Sequence, residues 1–292
     1  MADRKKRLES NAAGNFFVDA TCINCDTCRQ LAPKSFAEIG EYSAVARQPI
    51  DDEQSFQAYQ ALIACPVGSI GTEHADNARL QQAKNSFPLQ LEEDVFYCGF
   101  NSEKSFGANS FFVRHPDGNW LVDSPRYLKQ LVAAFERMGG IRFIFLTHED
   151  DVADADRYAD HFGAKRLIHR EDAAAVPGAE WVVEGTEPQQ LASQFQVIPV
   201  PGHTPGSQAL LFKERFLFTG DHLWWDPRTQ RLGSPNALVW NREELERSIE
   251  KLLHHRFEWV LAGHGDRVHL SREALRAKLL ELVETRKVVT GV

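Results

Sequence analysis

After residue 90 the chain alternates short apolar runs with amphipathic stretches. The apolar runs Ser110 to Arg114, Trp120 to Asp123, Phe143 to Leu146, Gln196 to Val200, Ala209 to Phe212, Phe216 to Thr219 and Trp259 to Ala262 read as strands, being short and rich in β-branched and aromatic residues. Between the second and third runs, Tyr127, Leu128, Leu131, Val132, Phe135 and Met138 recur at helical spacing, and Gly139-Gly140 closes that helix. Further helices are predicted over Glu53 to Ala64, about 242 to 255 and about 271 to 286. Paired strands, interleaved helices and polar residues at strand ends predict sheets sandwiched between helices, an α+β chain. The polar stretch 74–90, with Asn77, Gln81, Gln82, Lys84 and Asn85, carries no motif and reads as a connector.

A length of 292 residues suits two domains of unequal size. With 43% hydrophobic and 25% charged residues the chain has ample core material and no compositional case for disorder. The net charge of −8 argues against a nucleic-acid or anionic-membrane binder, since both need a surplus of Lys and Arg. Arg4-Lys5-Lys6-Arg7 has no apolar stretch behind it and reads as a solvated tail. No run approaches the ~18 apolar residues of a membrane helix, so no membrane partner and a cytoplasmic location are expected. The five cysteines then point to metal or cluster ligation rather than a disulfide framework.

Cys22, Cys25 and Cys28 place three thiols at intervals of three in one loop, a spacing that lets the loop wrap one polynuclear centre. Where two-cluster ferredoxins place a further Cys-Pro, this chain has Ala32-Pro33, so a second cluster lacks its ligand. Cys65-Pro66 can supply the fourth ligand of the first. These motifs, with Phe36, Val45, Gln48-Pro49 and Cys65-Pro66-Val67-Gly68-Ser69-Ile70, resemble single-cluster bacterial ferredoxins over about residues 14 to 73. The resemblance implies one [4Fe–4S] cluster on Cys22, Cys25, Cys28 and Cys65. A zinc knuckle is the plainer reading of the same thiols, but zinc sites usually pair two Cys-x-x-Cys arms.

Four other residues follow strand-like runs: His148 in Leu-Thr-His, His203 in Pro-Gly-His-Thr-Pro-Gly-Ser, Asp221 in Thr-Gly-Asp and His264 in Ala-Gly-His-Gly. Imidazoles and a carboxylate suit zinc or iron, and flanking glycines let separate loops converge. Singly, each histidine would be read as a surface or hydrogen-bonded core residue. Together and in this order they resemble the metallo-β-lactamase superfamily, whose fold is an αββα sandwich. Tyr97-Cys98-Gly99-Phe100-Asn101-Ser102 and Val122-Asp123-Ser124-Pro125-Arg126 look like a branch fused behind a ferredoxin. The implied layout is a small ferredoxin domain over 1–76, a connector over 77–90 and a metallo-β-lactamase-like domain over 91–292.

The first metal motif departs from the family's His-x-His-x-Asp-His, because this chain reads His148-Glu149-Asp150-Asp151-Val152-Ala153. The second metal position is therefore expected to be short of a ligand. His148, His203 and Asp221 form the ligand set implied for one Zn or Fe ion. His264 and Asp154 are candidates for a second ion, and Asp150, Asp151 and His264 are the candidate catalytic groups.

The leading expectation is a metal-dependent hydrolase, in which a bound divalent metal lowers the pKa of its water toward ~7 and the hydroxide attacks a small ester, thioester, lactone or amide. The first alternative is a mononuclear non-haem iron redox enzyme, similar to persulfide dioxygenases or oxygen reductases and fed by the cluster. The second is a non-enzymatic electron carrier on a degraded metal site. A small-molecule substrate and a redox partner are the expected partners.

Overall fold

The computed structural model describes residues 2–290, with side chains described through 286. One unit takes the chain up to Asp117 together with Ser124–Gly140, and the other takes Gly118–Asp123 and the chain from Ile141 onward. The chain is thus mixed α and β, with a small cysteine-bearing region followed by a larger sheet-rich one.

In the first unit, strand Phe16–Val18 pairs antiparallel with Ile70–Thr72, and Phe36–Ile39 pairs antiparallel with Tyr42–Val45. Helix Asp52–Ala64 starts where the Asp51 carboxylate accepts from Gln54 N at 2.8 Å. It stops at Cys65-Pro66, since the residue before a proline is pushed out of helical backbone. Within the stretch read as a connector, Asn77–Asn85 is helical, capped by Asp76 accepting from Arg79 N at 3.0 Å. Its buried residue is Ala83, and polar contacts tie it down: Gln60 Nε2 to Ser86 Oγ at 2.9 Å and Arg79 Nη2 to Asp52 Oδ1 at 2.8 Å. Such a helix leaves no apolar period in the sequence. Strands Leu89–Glu92, Val95–Tyr97 and Phe111–Val113 then form an antiparallel meander, and Phe112 stacks at 4.8 Å on Phe135 of helix Lys129–Arg137.

In the second unit, Trp120–Val122, Phe143–Phe145, Lys165–His169 and Trp181–Val183 lie parallel in that order. A second sheet runs Gln189–Ala192, Phe195–Pro199, Gln208–Phe212, Phe216–Gly220, Trp259–Ala262 and Val268–His269. Every residue of Gln208–Phe212 and Phe216–Gly220 is buried, as expected of strands covered on both faces. One face packs Ile198, Leu211, Leu217 and Val260 against Leu245, Ile249, Leu275 and Leu279 of helices Arg242–Lys251 and Arg272–Thr290. On the sheet's other side, Phe195 stacks on Trp120 at 4.4 Å and on Phe212 at 4.6 Å. No helix among the described residues is long and apolar enough to cross a membrane.

Strand direction positions the candidate residues. Because the strands of the first sheet are parallel, the loops carrying Asp123, His148 and Asp172 all leave from one edge. In the second sheet Phe216–Gly220 and Trp259–Ala262 are parallel and end at Asp221 and His264, while the antiparallel Gln208–Phe212 begins beside them, just after His203. Gln208 joins the two edges, its backbone N donating to Thr147 O and its Nε2 to Leu146 O, both at 2.8 Å.

The His203 loop also depends on a close backbone approach. Gly202 has φ +148°, and a Cβ there would sit 2.4 Å from Leu245 Cα, where neither backbone can yield. Gly202→Ala is expected to lower unfolding stability by roughly 1–3 kcal/mol, the range for overpacking. A denaturant melt that does not distinguish the variant from the parent would contradict this.

Candidate metal centre

The cysteine loop turns through left-handed backbone at Asn24 (φ 56°) and Asp26 (φ 63°), a conformation these two residue types tolerate better than most. The turns aim polar hydrogens at sulfur: Asn24 N lies 3.4 Å from Cys22 Sγ, and hydroxyls of Thr27 and Ser69 lie 3.4 Å from Cys25 Sγ and Cys65 Sγ. Cys22, Cys25, Cys28 and Cys65 line one cavity with Val18, Ile23, Pro66 and Ile70. The three cysteines of one loop and Cys65 from the end of helix Asp52–Ala64 converge on this cavity instead of forming two Cys-x-x-Cys arms, an arrangement that suits a polynuclear centre. Burial pushes the Cys25 thiol up to about 11 and raises Cys28 as well. Thiolates in so apolar a cavity need a cationic centre, and an iron–sulfur cluster supplies one.

At the sheet edge of the second unit two ligand groups form around one carboxylate. His148, His203 and Asp221 offer atoms within 4.8 Å of one another, and so do Asp151, Asp221 and His264. Asp221 Oδ2 lies 3.8 Å from His148 Nε2 and 3.7 Å from His203 Nε2, while Oδ1 lies 2.7 Å from His264 Nδ1. Burial alone would push the Asp221 carboxyl up, but His264, His148 and His203 together outweigh it and hold it far below the usual carboxylate range.

Backbone and hydroxyl partners orient both imidazoles of the first group. His203 Nδ1 lies 2.6 Å from Leu238 O, a carbonyl that can only accept, so Nδ1 carries the proton and Nε2 presents a lone pair. His148 Nδ1 lies 3.0 Å from Thr147 Oγ1, which itself lies 3.0 Å from both Asp123 oxygens. Burial, partly offset by the Thr147 hydrogen bonds, pushes Asp123 up to about 7. The inward-facing atoms are buried without hydrogen-bond partners among the described residues: His148 Nε2, His203 Nε2 and both oxygens of Asp151. Burial, then the negative charge of Asp221, drive the Asp151 carboxyl well above its ordinary range. Lone pairs and carboxylates orphaned together in this way fit divalent cations.

The acidic run that replaces the family's first motif divides its work. Asp150 Oδ2 lies 3.3 Å from His203 Nε2 and 3.7 Å from His148 Nε2, with its side chain 61% exposed. Its closeness to the imidazoles of His203 and His148 outweighs partial burial and holds its carboxyl below the ordinary value, so it is ionised at neutral pH. Asp151 turns inward to Asp221 and His264 and occupies the second group, where the sequence suggested a missing ligand. Asp154, expected among the ligands of a second ion, stands at the start of helix Ala155–Phe162 and belongs to neither group. His222 is buried next to Asp221 and pushed down to about 3 by burial, and neither ring nitrogen finds a hydrogen-bond partner among the described residues.

Sequence reasoning passed over Asp172, which is fully buried and joins the loops that carry His148 and His203. Its Oδ2 accepts from Glu149 N at 3.1 Å and Thr204 Oγ1 at 2.6 Å, and its Oδ1 accepts from Gly206 N at 2.8 Å. A Cβ on Gly206 would lie 2.5 Å from the Asp172 carboxyl carbon, so only glycine admits this contact. The sequence carried little signal for it, because strand Lys165–His169, which precedes it, was not among the apolar runs read as strands. Asp172→Ala is expected to weaken zinc binding about 10- to 100-fold, the usual effect of losing support behind metal ligands. Competition with a chromogenic chelator measures this, and unchanged zinc affinity would overturn the role.

Residues 90–286 match the model of the metallo-beta-lactamase superfamily, and residues 18–72 match that of the 4Fe-4S single cluster domain of ferredoxin I. An uncharacterized protein of Bacillus subtilis (strain 168), YobT, is 26% identical in a match of 206 residues that covers 59% of this chain and 88% of YobT. A hydroxyacylglutathione hydrolase of Acidiphilium cryptum (strain JF-5) is 29% identical over 119 residues, 39% of this chain and 49% of that protein. The crystal structure of DIM-1 metallo-beta-lactamase superposes with a TM-score of 0.50 at 17% identity, covering 68% of this chain and 96% of its own, a likeness of fold alone.

Proposed function

The chain belongs to the metallo-beta-lactamase superfamily and carries a 4Fe-4S ferredoxin domain, and from that premise we propose that it is a metal-dependent hydrolase of a small ester, thioester, lactone or amide. The observation that carries the reading is Asp221, whose two oxygens face two separate ligand groups. His148, His203 and Asp221 would hold one divalent ion, and Asp151, His264 and Asp221 a second. Bound ions of this kind lower the pKa of water and polarise a carbonyl. The likeness to a hydroxyacylglutathione hydrolase supports the hydrolytic class.

The chain's own residues supply the rest. Asp150 is the carboxylate of this constellation most open to solvent, and it is ionised at neutral pH, so it accepts the proton of the attacking water. Leu238 O and Thr147 Oγ1 fix the two imidazoles so that neither rotates away from the reacting centre. Asp172 holds the loops of Glu149 and Thr204 in register with each other.

A second reading, an iron-dependent redox enzyme, is favoured by the ferredoxin domain in the same chain and by the group of two imidazoles and one carboxylate, His148, His203 and Asp221, a ligand set that suits non-haem iron. In either case the partners are a small-molecule substrate and, for the cluster, a one-electron redox partner.

Thiol release from a simple thioester, followed with metal-free, zinc-loaded and iron-loaded protein, tests the hydrolase. Loaded forms are expected to turn over, and Asp150→Asn to slow turnover about 10²- to 10⁴-fold while zinc or iron content stays at the parent's level. No hydrolysis in any form, with consumption of O₂ or a persulfide by the iron form, would replace this reading with the second.

A further inference from the structure

Two segments that the metal site leaves without a role, Tyr97 to Ser102 and Ser124 to Arg126, belong to the same unit as the cysteine cavity. Both reach the cluster-binding loops. Asn101 is fully buried, and its Nδ2 donates to Thr27 Oγ1 at 3.1 Å and to Gly107 O at 2.7 Å. The Thr27 hydroxyl is the one 3.4 Å from Cys25 Sγ, and a Cβ on Gly107 would lie 2.8 Å from that sulfur. At the fourth cysteine, Arg126 Nη2 donates to Ile63 O at 3.1 Å and to Cys65 O at 3.2 Å.

These contacts differ in charge. Asn101 and Gly107 are neutral, so they fix geometry around Cys25. Arg126 brings a full positive charge to the backbone of Cys65, in a partly buried setting where screening by water is reduced. Reduction of a thiolate-ligated cluster adds one electron from an external one-electron donor, and no bond or proton need move. The centre gains one negative charge, and a fixed cation beside a ligand stabilises the reduced form over the oxidised one.

We propose that Arg126 is a positioning residue that sets the reduction potential of the cluster, raising it through its contact with the backbone of Cys65. The proposal rests on the reading of Cys22, Cys25, Cys28 and Cys65 as the ligands of one [4Fe–4S] cluster. Its consequence is that the segment after the ferredoxin region, and not the ferredoxin loops alone, decides which donors can load the cluster.

The test is an anaerobic redox titration of the full-length protein, followed by the reduced-cluster electron paramagnetic resonance signal, with iron and acid-labile sulfide measured on each sample. Arg126→Met is expected to keep the cluster and move the midpoint to a more negative value by about a tenfold change in the reduction equilibrium, about 59 mV for one electron. Arg126→Lys, which keeps the charge, is expected to stay close to the parent. If the methionine variant does not hold a cluster, Arg126→Gln, which keeps a donor without the charge, is titrated in its place. An unchanged midpoint in a cluster-replete neutral variant overturns the proposal. Loss of the cluster from both neutral variants but not from the lysine variant also overturns it, by making Arg126 a structural clamp. A parent protein without acid-labile sulfide, or with less iron than sulfide, overturns the cluster reading itself, a failure distinct from the others.

Discussion

The constraint on which the second unit depends is the sharing of one carboxylate, Asp221, among three imidazoles. Two oxygens on one carbon cannot face His148, His203 and His264 together unless three loops arrive at one point. A parallel strand of the first sheet delivers the His148 loop, two parallel strands of the second deliver the Asp221 and His264 loops, and the His203 loop lies just before the antiparallel strand Gln208–Phe212. The glycines at this edge follow from the crowding. A Cβ at Gly220 would meet the Thr147 side chain at 2.4 Å, and one at Gly263 would meet Asp151 Oδ2 and Asp221 Oδ1, both at 2.9 Å. Such close approach is what orphans so many polar atoms together, an arrangement that would be unfavourable in a protein without cations to bind there.

The legible part of this molecule was written in contrast: apolar runs, a turn-forming residue, then a lone histidine or acid. The strands at 143–145, 208–212, 216–220 and 259–262 are fully or largely buried and so leave dense apolar runs, and the residues that follow them stand out. Helix Asn77–Asn85 was hidden for the opposite reason, because polar bonds hold it and Ala83 alone among its described residues is buried. The roles of Asp150 and Asp151 were unreadable as well. Adjacent acids in a short helical turn look interchangeable, yet one side chain is 61% exposed and the other 1%, a difference set by packing from elsewhere in the fold. Asp172 escaped because its three partners lie 23 to 34 residues away.

The cysteine cavity obeys a related logic on a smaller scale. Burial makes the Cys25 and Cys28 thiols poor acids, so sulfurs in this cavity need compensation from nearby donors and from a cationic centre. Asn24, Thr27 and Ser69 supply local donors, and the segments around Asn101 and Arg126 supply the outer ones. Residues near 100 and 126 therefore support loops near 25 and 65. The first unit's contacts do not follow the order of its sequence motifs.

The central claim is that Asp221 serves two metal positions at once, and it is tested most directly by counting ions outside the cluster. Protein stripped of metal at the histidine site and titrated with zinc, in the parent and in Asp221→Ala, gives that count by calorimetry and elemental analysis. The account predicts two sites in the parent and the weakening of both together in the variant. A parent with a single site, or a variant that keeps one site at the parent's affinity, would contradict it.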